Sequence, residues 1–388
     1  MTGPLEGIRV IELGGIGPGP HACMILADLG ADVVRVEAPG ASLLPGGVQR
    51  GRRIVRADLK NALERDEILE LISSADVVVE GFRPGVTERL GLGPEDCWAR
   101  DPRIVYGRIT GWGQEGELAL SAGHDIDYLA LTGVLSMIHG ADGKPVPPAN
   151  LLGDFGGGSL FLVVGVLAAL LERERSGRGQ VVDAAIVDGV GILAQMLWDF
   201  RASPLGGVAG IERPLGGDLP FYDTYRCADG RYLAVGPIEP RFYAAFLDGL
   251  GVDPEGLPSQ WDPAGWTRLR EVFTGRIAKH TRDEWVGRFE GTDACVAPVL
   301  NWDEALTHPH LVERGVFRLE DGAVQVTPAP RFSRTVPSAA PRVLIADIQE
   351  VAAQWRARSR RPHPMNGTSY LPTLDDWSSV SKESERCT

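Results

Sequence analysis

Three ionisable side chains stand at turns among glycine or apolar residues, where an imidazole or a carboxylate can do acid–base chemistry. They are His124 in the stretch SAGHDIDY, Asp154 in GDFGGGS and Glu239 in GPIEPRFY. Histidine and the carboxylates are frequent general acids and bases. Each also has an ordinary structural explanation: His124 as a satisfied loop histidine, Asp154 as a helix N-cap, and Glu239 as a capping or surface residue. The residues alone leave these alternatives open.

Asp154 has the most specific surroundings of the three. It precedes a run of glycines and a long apolar segment, so we expect it at the start of a helix, in the positive end of the helix dipole. Glycines let a ligand approach the backbone closely, and the free N–H groups of a first turn can stabilise an oxyanion. A carboxylate there can attack a thioester carbonyl, or hold the proton of the neighbouring carbon while an enolate forms.

Alternating strands and helices position these residues. The hydrophobic pattern predicts strands at 8–13, 32–36, 75–80, 103–109 and 181–185, with a helix at 21–29 and another after the glycines of 151–158. This alternation indicates an α/β fold with a mostly parallel sheet, and the Gly/Pro run 14–20 gives the first βαβ unit a Rossmann-like look. The run lacks the order G-x-G-x-x-G, and its prolines remove N–H groups, so a nicotinamide site is not favoured.

A chain of 388 residues predicts two domains, because a single hydrophobic core rarely serves so many residues. We place the N-terminal part of the large domain at 1–200, a Gly- and Pro-rich linker at 201–220 and a small mixed domain at 221–305. Residues 306–358 then return to the large domain, and 359–388 form a tail that we expect to be poorly ordered.

Charge and cysteine usage exclude several classes of function. The net charge is −13, so nucleic acid is not an expected partner, and a polyanionic ligand needs a local basic cluster. The five cysteines form no C-x-x-C pair, which argues against a zinc site or a disulfide scaffold and favours a cytoplasmic location. We find no secretory signal, and the longest apolar stretch, 160–171, is shorter than a membrane span of about 20 residues. We therefore expect no membrane association.

Ordered motifs extend from residue 3 to residue 335. They include PLEGIRVIEL from Pro4, GPGPHACMILADLGADVVRV from Gly17, ADLK from Ala57, EGFRPGVTERLGLG from Glu80, YGRITGWGQ from Tyr106, AGHDIDY from Ala122 and ADGRYLAVGPIEPRFY from Ala228. In these stretches the chain resembles the family III CoA-transferase (CaiB/BaiF) superfamily, and within it the branch of 2-methylacyl-CoA racemases. Agreement over so many motifs in the same order does not arise by chance.

The resemblance implies a large domain with a Rossmann-like core and a smaller α+β domain, in a homodimer whose subunits interlock like rings. Each active site then lies between the large domain of one subunit and the small domain of the other. It also implies that His124 and Asp154 face each other across the carbon next to the thioester carbonyl, and that Glu239 orients His124.

The implied reaction is racemisation or epimerisation of a 2-methylacyl-CoA by 1,1-proton transfer through an enolate. One base removes the α-proton from one face, and the other group returns a proton to the opposite face. Two acid/base groups are the simplest chemical solution, since the thioester itself acidifies the α-carbon. CoA belongs to the substrate, so no further cofactor and no metal are expected.

For the CoA moiety the resemblance indicates a set of residues near its phosphates and adenine: Ile16, Arg52, Arg53, Lys60, Arg83, Arg89 and Tyr128. The sequence departs from the family at Ala38, where racemase relatives often carry an arginine, so that Arg50, Arg52 or Arg53 is left to compensate. The segment 214–222 also lacks the methionine of relatives that take long branched chains. We therefore expect an acyl group that is smaller or more polar than a fatty or steroid chain.

Two other functions stay open at this point. A family III CoA-transferase would use Asp154 as a nucleophile and form an aspartyl-CoA thioester, and transferase relatives need no histidine at the position of His124. A non-catalytic acyl-CoA-binding protein would have no use for the three candidate residues. Exchange of the α-proton without an acceptor acid distinguishes the racemase from both.

Overall fold

The computed structural model describes residues 3–41, 46–140, 142–202, 213, 215–320, 322–337 and 343–357. The strands are β1 Arg9–Leu13, β2 Asp32–Glu37, β3 Arg52–Arg56, β4 Val77–Glu80, β5 Val105–Thr110, β6 Val181–Ala185, β7 Asp223–Arg226, β8 Tyr232–Val235, β9 Val296–Pro298, β10 Phe317–Glu320, β11 Ala323–Val326 and β12 Leu344–Ile345. Most of the predicted linker 201–220 and the whole tail 359–388 lie outside the described residues.

Helices follow most of these strands. They are α1 Pro18–Asp28, α2 Gly46–Gln49, α3 Ala62–Ile72, α4 Val86–Arg89, α5 Pro94–Trp98, α6 Asp125–Leu131, α7 Leu160–Ser176, α8 Ile186–Leu193, α9 Gln195–Ala202, α10 Pro240–Leu250, α11 Trp266–Ile277, α12 Arg282–Phe289, α13 Trp302–Thr307, α14 Pro309–Glu313 and α15 Ile348–Ala357. A nine-residue π-helical segment, Leu151–Ser159, runs directly into α7.

Seven parallel strands form the central sheet, in the order β12-β3-β2-β1-β4-β5-β6. The six strands from β3 to β6 have the order of a doubly wound Rossmann sheet, and β12 extends its edge. The strand order reverses between β1 and β4, which are hydrogen-bonded neighbours. The prediction of a mostly parallel α/β sheet is confirmed, and the switch point locates the crevice where such sheets bind ligands.

Both faces of this sheet are buried, as expected for parallel strands. Along β1 the side chains alternate: Val10 belongs to a core with α1 and α7, whereas Ile11 belongs to a core with α3 and α15. Trp355 of α15 packs in the same core as Ile11, so the last described helix and the first strand belong to one hydrophobic core. Val and Ile therefore occupy consecutive positions in β1, β2 and β4 instead of alternating strictly with polar residues.

A separate hydrophobic core lies between a three-stranded antiparallel sheet, β7-β8-β9, and the helices α10, α11 and α12. Its centre is aromatic: the rings of Phe246 and Phe273 meet edge to face at 5.1 Å, and Trp285 is buried beside them. Such edge-to-face pairs add to the stabilisation from apolar burial. This unit carries Glu239, at the position just before α10.

Two helices begin earlier than the sequence predicts. Helix α1 starts at Pro18 rather than His21, because the fixed φ of proline suits a first helical turn, where a missing N–H is harmless. The helix expected after the glycines of 151–158 starts at Leu151, so those glycines lie inside it. Asp154 is consequently in the first turn and is not the N-cap, which corrects that structural alternative.

The continuous helix Leu151–Ser176 is long and apolar enough to cross a membrane by length and composition, with a mean hydropathy of 1.9 in its most apolar part. Leu162 and Val166 on one side are buried against the sheet, next to the Gly107 position of β5. Leu160, Val164 and Leu171 form an exposed apolar stripe on the other side. One face of this helix therefore packs in the core, and the other face exposes apolar side chains in the single chain.

A buried carboxylate, Glu12 at the end of β1, pairs with two buried arginines. Arg35 of β2 contacts one carboxylate oxygen, and Arg52 of β3 donates to the other at 2.5 Å. Arg35 also donates to the carbonyls of Gly14 and Gly15 at 3.1 and 2.7 Å, and Arg52 donates to the carbonyl of Pro20. The two guanidinium groups thus hold both ends of the Gly/Pro loop.

Replacing Glu12 by Gln should lower the free energy of unfolding by about 3 kcal/mol, because buried Arg52 loses its counter-charge, although Arg35 retains its ion pair with Glu37. Urea unfolding followed by circular dichroism measures this. The matched control is Glu70→Gln, whose carboxylate makes an exposed ion pair with Arg100 at 3.8 Å and should change stability by less than about 0.5 kcal/mol. Equal effects of the two substitutions would contradict the role given to Glu12.

Candidate active site

The crevice at the switch point lies between two loops that follow β1 and β4. The first loop consists of residues 14–17 of the Gly/Pro run, before α1. The second loop is 81–85, which carries Phe82 and Arg83. The loops are in contact, since a Cβ on Gly14 would lie 3.4 Å from the Phe82 ring. Ile16 stands at the tip of the first loop with 74% of its surface exposed. An elongated ligand can therefore lie along both loops at the carboxyl edge of the sheet.

Asp154 lies against the first of these loops. A Cβ on Gly17 would be 3.3 Å from Asp154 Oδ2, so only a residue without a side chain lets the carboxylate stand there. Asn150 donates from Nδ2 to the same oxygen at 3.3 Å. The backbone N–H of Asp154 donates to Asp125 Oδ1 at 2.7 Å, and the N–H of Phe155 donates to the carbonyl of Asn150. The N–H groups nearest Asp154 are therefore engaged within the protein, contrary to the expectation that they are free for an oxyanion.

The electrostatics of Asp154 suit a proton carrier. Burial raises the pKa of its carboxyl above the ordinary value, and the charge of Asp125 acts in the same direction. The hydrogen bond from Asn150 and the nearby His124 oppose that rise of the pKa. A carboxylate whose pKa is raised binds a proton more readily and is a stronger base once ionised.

His124 immediately precedes α6, and it lies close enough to Asp154 for its charge to lower the pKa of that carboxyl. Its backbone is fixed because its N–H donates to Asp127 Oδ2 at 2.9 Å, while the imidazole is exposed. The structure thus brings His124 and Asp154 to one place, each at the start of a helical segment. The prediction that they act as the two bases is not tested by this geometry alone.

The far end of the π-helical segment is also held by side chains. His21 Nδ1 of α1 and Ser159 Oγ are 2.6 Å apart, and Ser159 donates to the carbonyl of Phe155 at 3.0 Å. The His21 ring stacks on Phe155, with ring centroids 4.2 Å apart. Burial lowers the pKa of His21, so its ring is neutral at physiological pH. These contacts stabilise the wider π turns, which would otherwise relax to an α-helix.

Close backbone packing explains the glycines of this segment. A Cβ on Gly157 would meet Val190 Cγ2 at 2.7 Å, and one on Gly189 of α8 would meet the Gly157 carbonyl oxygen at 1.9 Å. A Cβ on Gly158 would crowd Ile186 and Pro18, at 3.0 and 3.3 Å. The glycines therefore serve packing between α8, α1 and the π-helical segment.

Glu239 lies apart from these two residues in the described chain. Its side chain is exposed before α10, and its charge acts on the thiol of Cys295, whose pKa is raised chiefly by burial. Among the described residues no hydrogen bond joins Glu239 to His124 or Asp154. The predicted orienting role of Glu239 stays a prediction, and within one chain Glu239 precedes α10, a helix of the core around Phe246 and Trp285.

The predicted CoA residues fall into two groups. Ile16, Lys60, Arg83 and Arg89 are exposed, and Arg83 and Arg89 form no ion pair within the part of the chain that the structure describes. Arg52 is buried and engaged by Glu12 and two backbone carbonyls, and Arg53 forms two hydrogen bonds with Asp32 at 2.7 and 2.8 Å. The three exposed cationic side chains can therefore pair with an anionic ligand. Arg52 and Arg53, in contrast, make contacts that stabilise the fold.

Tyr128 is buried under the loop that carries His124. Its hydroxyl donates to the carbonyl of Gly123 at 2.5 Å, and its ring lies edge to face on Trp112 with centroids 4.8 Å apart. Burial, helped by the charge of Asp154, raises the pKa of Tyr128 to about 12. The structure places this ring beneath His124, and its predicted contact with CoA remains a prediction.

Sequence reasoning missed three residues that shape the site: Asp125, Asn150 and Arg35. Asp125 and Asn150 flank the two bases in the sequence, yet only the fold shows that both reach Asp154. Arg35 sits in an apolar strand, where a charged residue between valines was the available signal.

Comparison with known proteins places this geometry in a family. Residues 5–343 match the model of CoA-transferase family III, and the chain belongs to that family. It is 47% identical to alpha-methylacyl-CoA racemase of Mus musculus over 339 residues, covering 86% of this chain and 88% of that protein. It is 44% identical to the human racemase, covering 85% and 87%. The crystal structure of a CaiB/BaiF family protein from Brucella suis superimposes with a TM-score of 0.77 at 25% identity, covering 92% of this chain and 99% of that one.

Asp154→Asn should raise the free energy of unfolding at pH 8, by up to about 1 kcal/mol, because the half-exposed carboxylate no longer has to ionise near Asp125. The folded pKa is raised above the unfolded value of 3.8, so the wild type loses stability as pH rises from 3.8 through the folded pKa. The gain should therefore vanish at low pH. Thermal unfolding at a series of pH values checks this, with the exposed Asp248→Asn as control. An equal gain at all pH values would refute it.

Proposed function

We propose that this protein racemises 2-methylacyl-CoA thioesters by 1,1-proton transfer through an enolate, with His124 and Asp154 as the acid/base groups. The observation that carries the proposal is the contact of Asp125, which follows His124, with the backbone N–H of Asp154, whose carboxyl has a pKa raised by burial. The similarity to the mouse and human alpha-methylacyl-CoA racemases over most of the chain supports the choice of reaction.

The proton balance of this reaction needs only the two side chains. The base that faces the α-hydrogen takes it, the C–H electrons move into the enolate, and the negative charge resides on the thioester oxygen. The protonated group on the opposite face then returns a proton to the α-carbon and restores the carbonyl. The product is the other epimer, and the protonation states of His124 and Asp154 are exchanged.

The enolate oxygen requires donors other than the N–H groups beside Asp154. We assign this role to the first turn of α6, because the N–H groups of Asp125 and Ile126 have no acceptor within the helix. They follow His124 directly, so a thioester oxygen held there presents its α-carbon next to the imidazole. The tight capping of His124 by Asp127 keeps this turn in place.

For the CoA moiety we propose that Arg83, Arg89 and Lys60 contact the phosphates, with Ile16 covering the pantetheine or the adenine. All four are exposed, and with a net charge of −13 for the whole chain the attraction of a polyanion depends on such local groups. The proposed chemistry uses no cofactor besides the CoA of the substrate.

An apolar cavity of about 210 Å³ gives the acyl chain a place to lie. It is lined by Leu152, two residues before Asp154, and by apolar side chains that include Val134, Met137, Val190 and Leu193. A cavity of this size fits a short branched acyl chain better than a steroid side chain with its ring system. We propose an acyl group of that size.

We propose that the active form is an interlocked homodimer in which Glu239 of one subunit orients His124 of the other. In the described chain Glu239 does not reach His124, so the site lacks its third residue. The exposed apolar stripe Leu160, Val164 and Leu171, with Met196 and Trp198 of α9, supplies unsatisfied surface for a second copy. We place the dimer in the cytoplasm, since the described cysteines are free and three are buried.

The wild-type protein should incorporate deuterium at the α-carbon of (2S)-2-methylacyl-CoA in deuterium oxide, with appearance of the 2R epimer and with no acceptor acid present. His124→Ala and Asp154→Ala should each lower the rate at which the 2R epimer appears by about 10³-fold, because inversion needs both groups and a positioned acid/base group contributes that order of rate. NMR of the α-signal measures exchange, and size-exclusion chromatography verifies that the variants keep their assembly.

Other outcomes would redirect the assignment. Epimerisation at the wild-type rate in either variant would refute the two-base mechanism. An absence of exchange across several acyl lengths, with transfer to an acceptor acid that hydroxylamine intercepts, would assign the protein to the CoA-transferases with Asp154 as the nucleophile. Binding of acyl-CoA with neither activity would leave a non-catalytic binding protein.

Mixing inactive subunits tests the shared site. Dimers reassembled from His124→Ala and Glu239→Ala subunits should recover about one quarter of the wild-type rate of epimerisation, because half of the dimers are mixed and each of those holds one intact site. Unmixed variants serve as the baseline. If mixing restores nothing, Glu239 does not act across the subunit boundary.

A further inference from the structure

One carboxylate joins the two candidate bases. Asp125 follows His124 in the sequence, and its Oδ1 accepts the backbone N–H of Asp154 at 2.7 Å, across 29 residues of chain. Asp125 begins α6, and Asp154 lies in the first turn of the π-helical segment. This side-chain contact ties the two segments directly at the level of the reacting groups.

The contact is built into the fold by a glycine. A Cβ on Gly153 would lie 2.3 Å from Asp125 Oδ1 and 2.8 Å from its Cγ. The carboxylate can therefore reach the N–H of Asp154 only because residue 153 has no side chain. Neighbouring Asp127 differs, since its carboxylate accepts the N–H of His124 and not that of Asp154.

We infer that Asp125 is a positioning residue for the second base: its carboxylate holds the backbone of Asp154 and so fixes the Asp154 carboxylate relative to His124. The inference rests on the proposed function. A displacement of about 1 Å at a reacting group can cost roughly 10²-fold in rate, so an anchor at this point matters to catalysis.

The charge of Asp125 gives this role a signature that a merely structural contact lacks. The titratable groups around Asp154 are His124, just before α6, and two residues of α6: Asp125 and Tyr128, whose own pKa Asp154 helps to raise. Asp125 raises the pKa of Asp154 in addition to the effect of burial. Replacing it by Asn keeps an acceptor oxygen for the N–H but removes the charge, so the pKa of Asp154 should fall.

Hydrogen–deuterium exchange by mass spectrometry tests the anchor without relying on activity. In Asp125→Ala the peptide that covers 151–159 should exchange at least about tenfold faster, because the N–H of Asp154 loses its acceptor. Gly153→Ala should act in the same way by excluding the carboxylate. Asp125→Asn should retain the protection. Unchanged protection in Asp125→Ala would overturn the inference.

The pH profile of α-proton exchange tests the effect on the base. Asp125→Ala should lower kcat by about 10²-fold with little change in KM. Asp125→Asn should recover most of that loss and shift the acid limb assigned to Asp154 to lower pH. The matched control Asp127→Asn removes the same charge two residues further along α6 and should leave that limb in place. A wild-type kcat in Asp125→Ala, or a loss of kcat in Asp125→Asn as large as in Asp125→Ala, would refute the positioning role.

The two sets of measurements separate this inference from the proposed function. If the wild type shows no exchange with any 2-methylacyl-CoA, the racemase proposal fails, while the protection of 151–159 still decides whether Asp125 anchors Asp154. If the wild type exchanges and Asp125→Ala retains both its rate and its protection, the inference fails and the racemase proposal stands.

Discussion

The ion pairs of Glu12 with Arg35 and Arg52 are the constraint on which the site depends. Buried charges are costly, and they persist here because each arginine also donates to loop carbonyls. The loop after β1 is thereby held from both ends by neighbouring strands. Gly17 of that loop stands against the Asp154 carboxylate, so a strand-to-strand ion pair sets one wall of the candidate active site.

The second wall is a helix that departs from ordinary geometry. A π-helical segment forms the wide turns before α7, and side-chain contacts hold both of its ends. Ser159 and His21 hold one end, whereas Asn150 and Asp125 hold the end that carries Asp154. The result is a carboxylate that is half-buried, fixed at its backbone and raised in pKa.

A single chain presents two of the three candidate catalytic groups together and the third elsewhere. His124 and Asp154 belong to the sheet domain, and Glu239 belongs to the unit around Phe246 and Trp285. Family III includes proteins named as transferases and proteins named as racemases, among them a succinyl-CoA:glutarate CoA-transferase at 28% identity. An aspartate can serve either chemistry, because a carboxylate is both a nucleophile and a base.

The sequence by itself determined the class of fold and the identity of the candidate groups. Apolar strands alternating with helices indicate a parallel sheet because such strands are buried on both faces, and the motifs around His124, Asp154 and Glu239 are local. Only the tertiary structure decided which partners these groups have. The π-helical segment, the reach of Asp125 to the N–H of Asp154 and the burial of Arg52 depend on contacts between residues 29 to 138 positions apart. Hydrophobic periodicity and local propensity carry no information on such distant contacts.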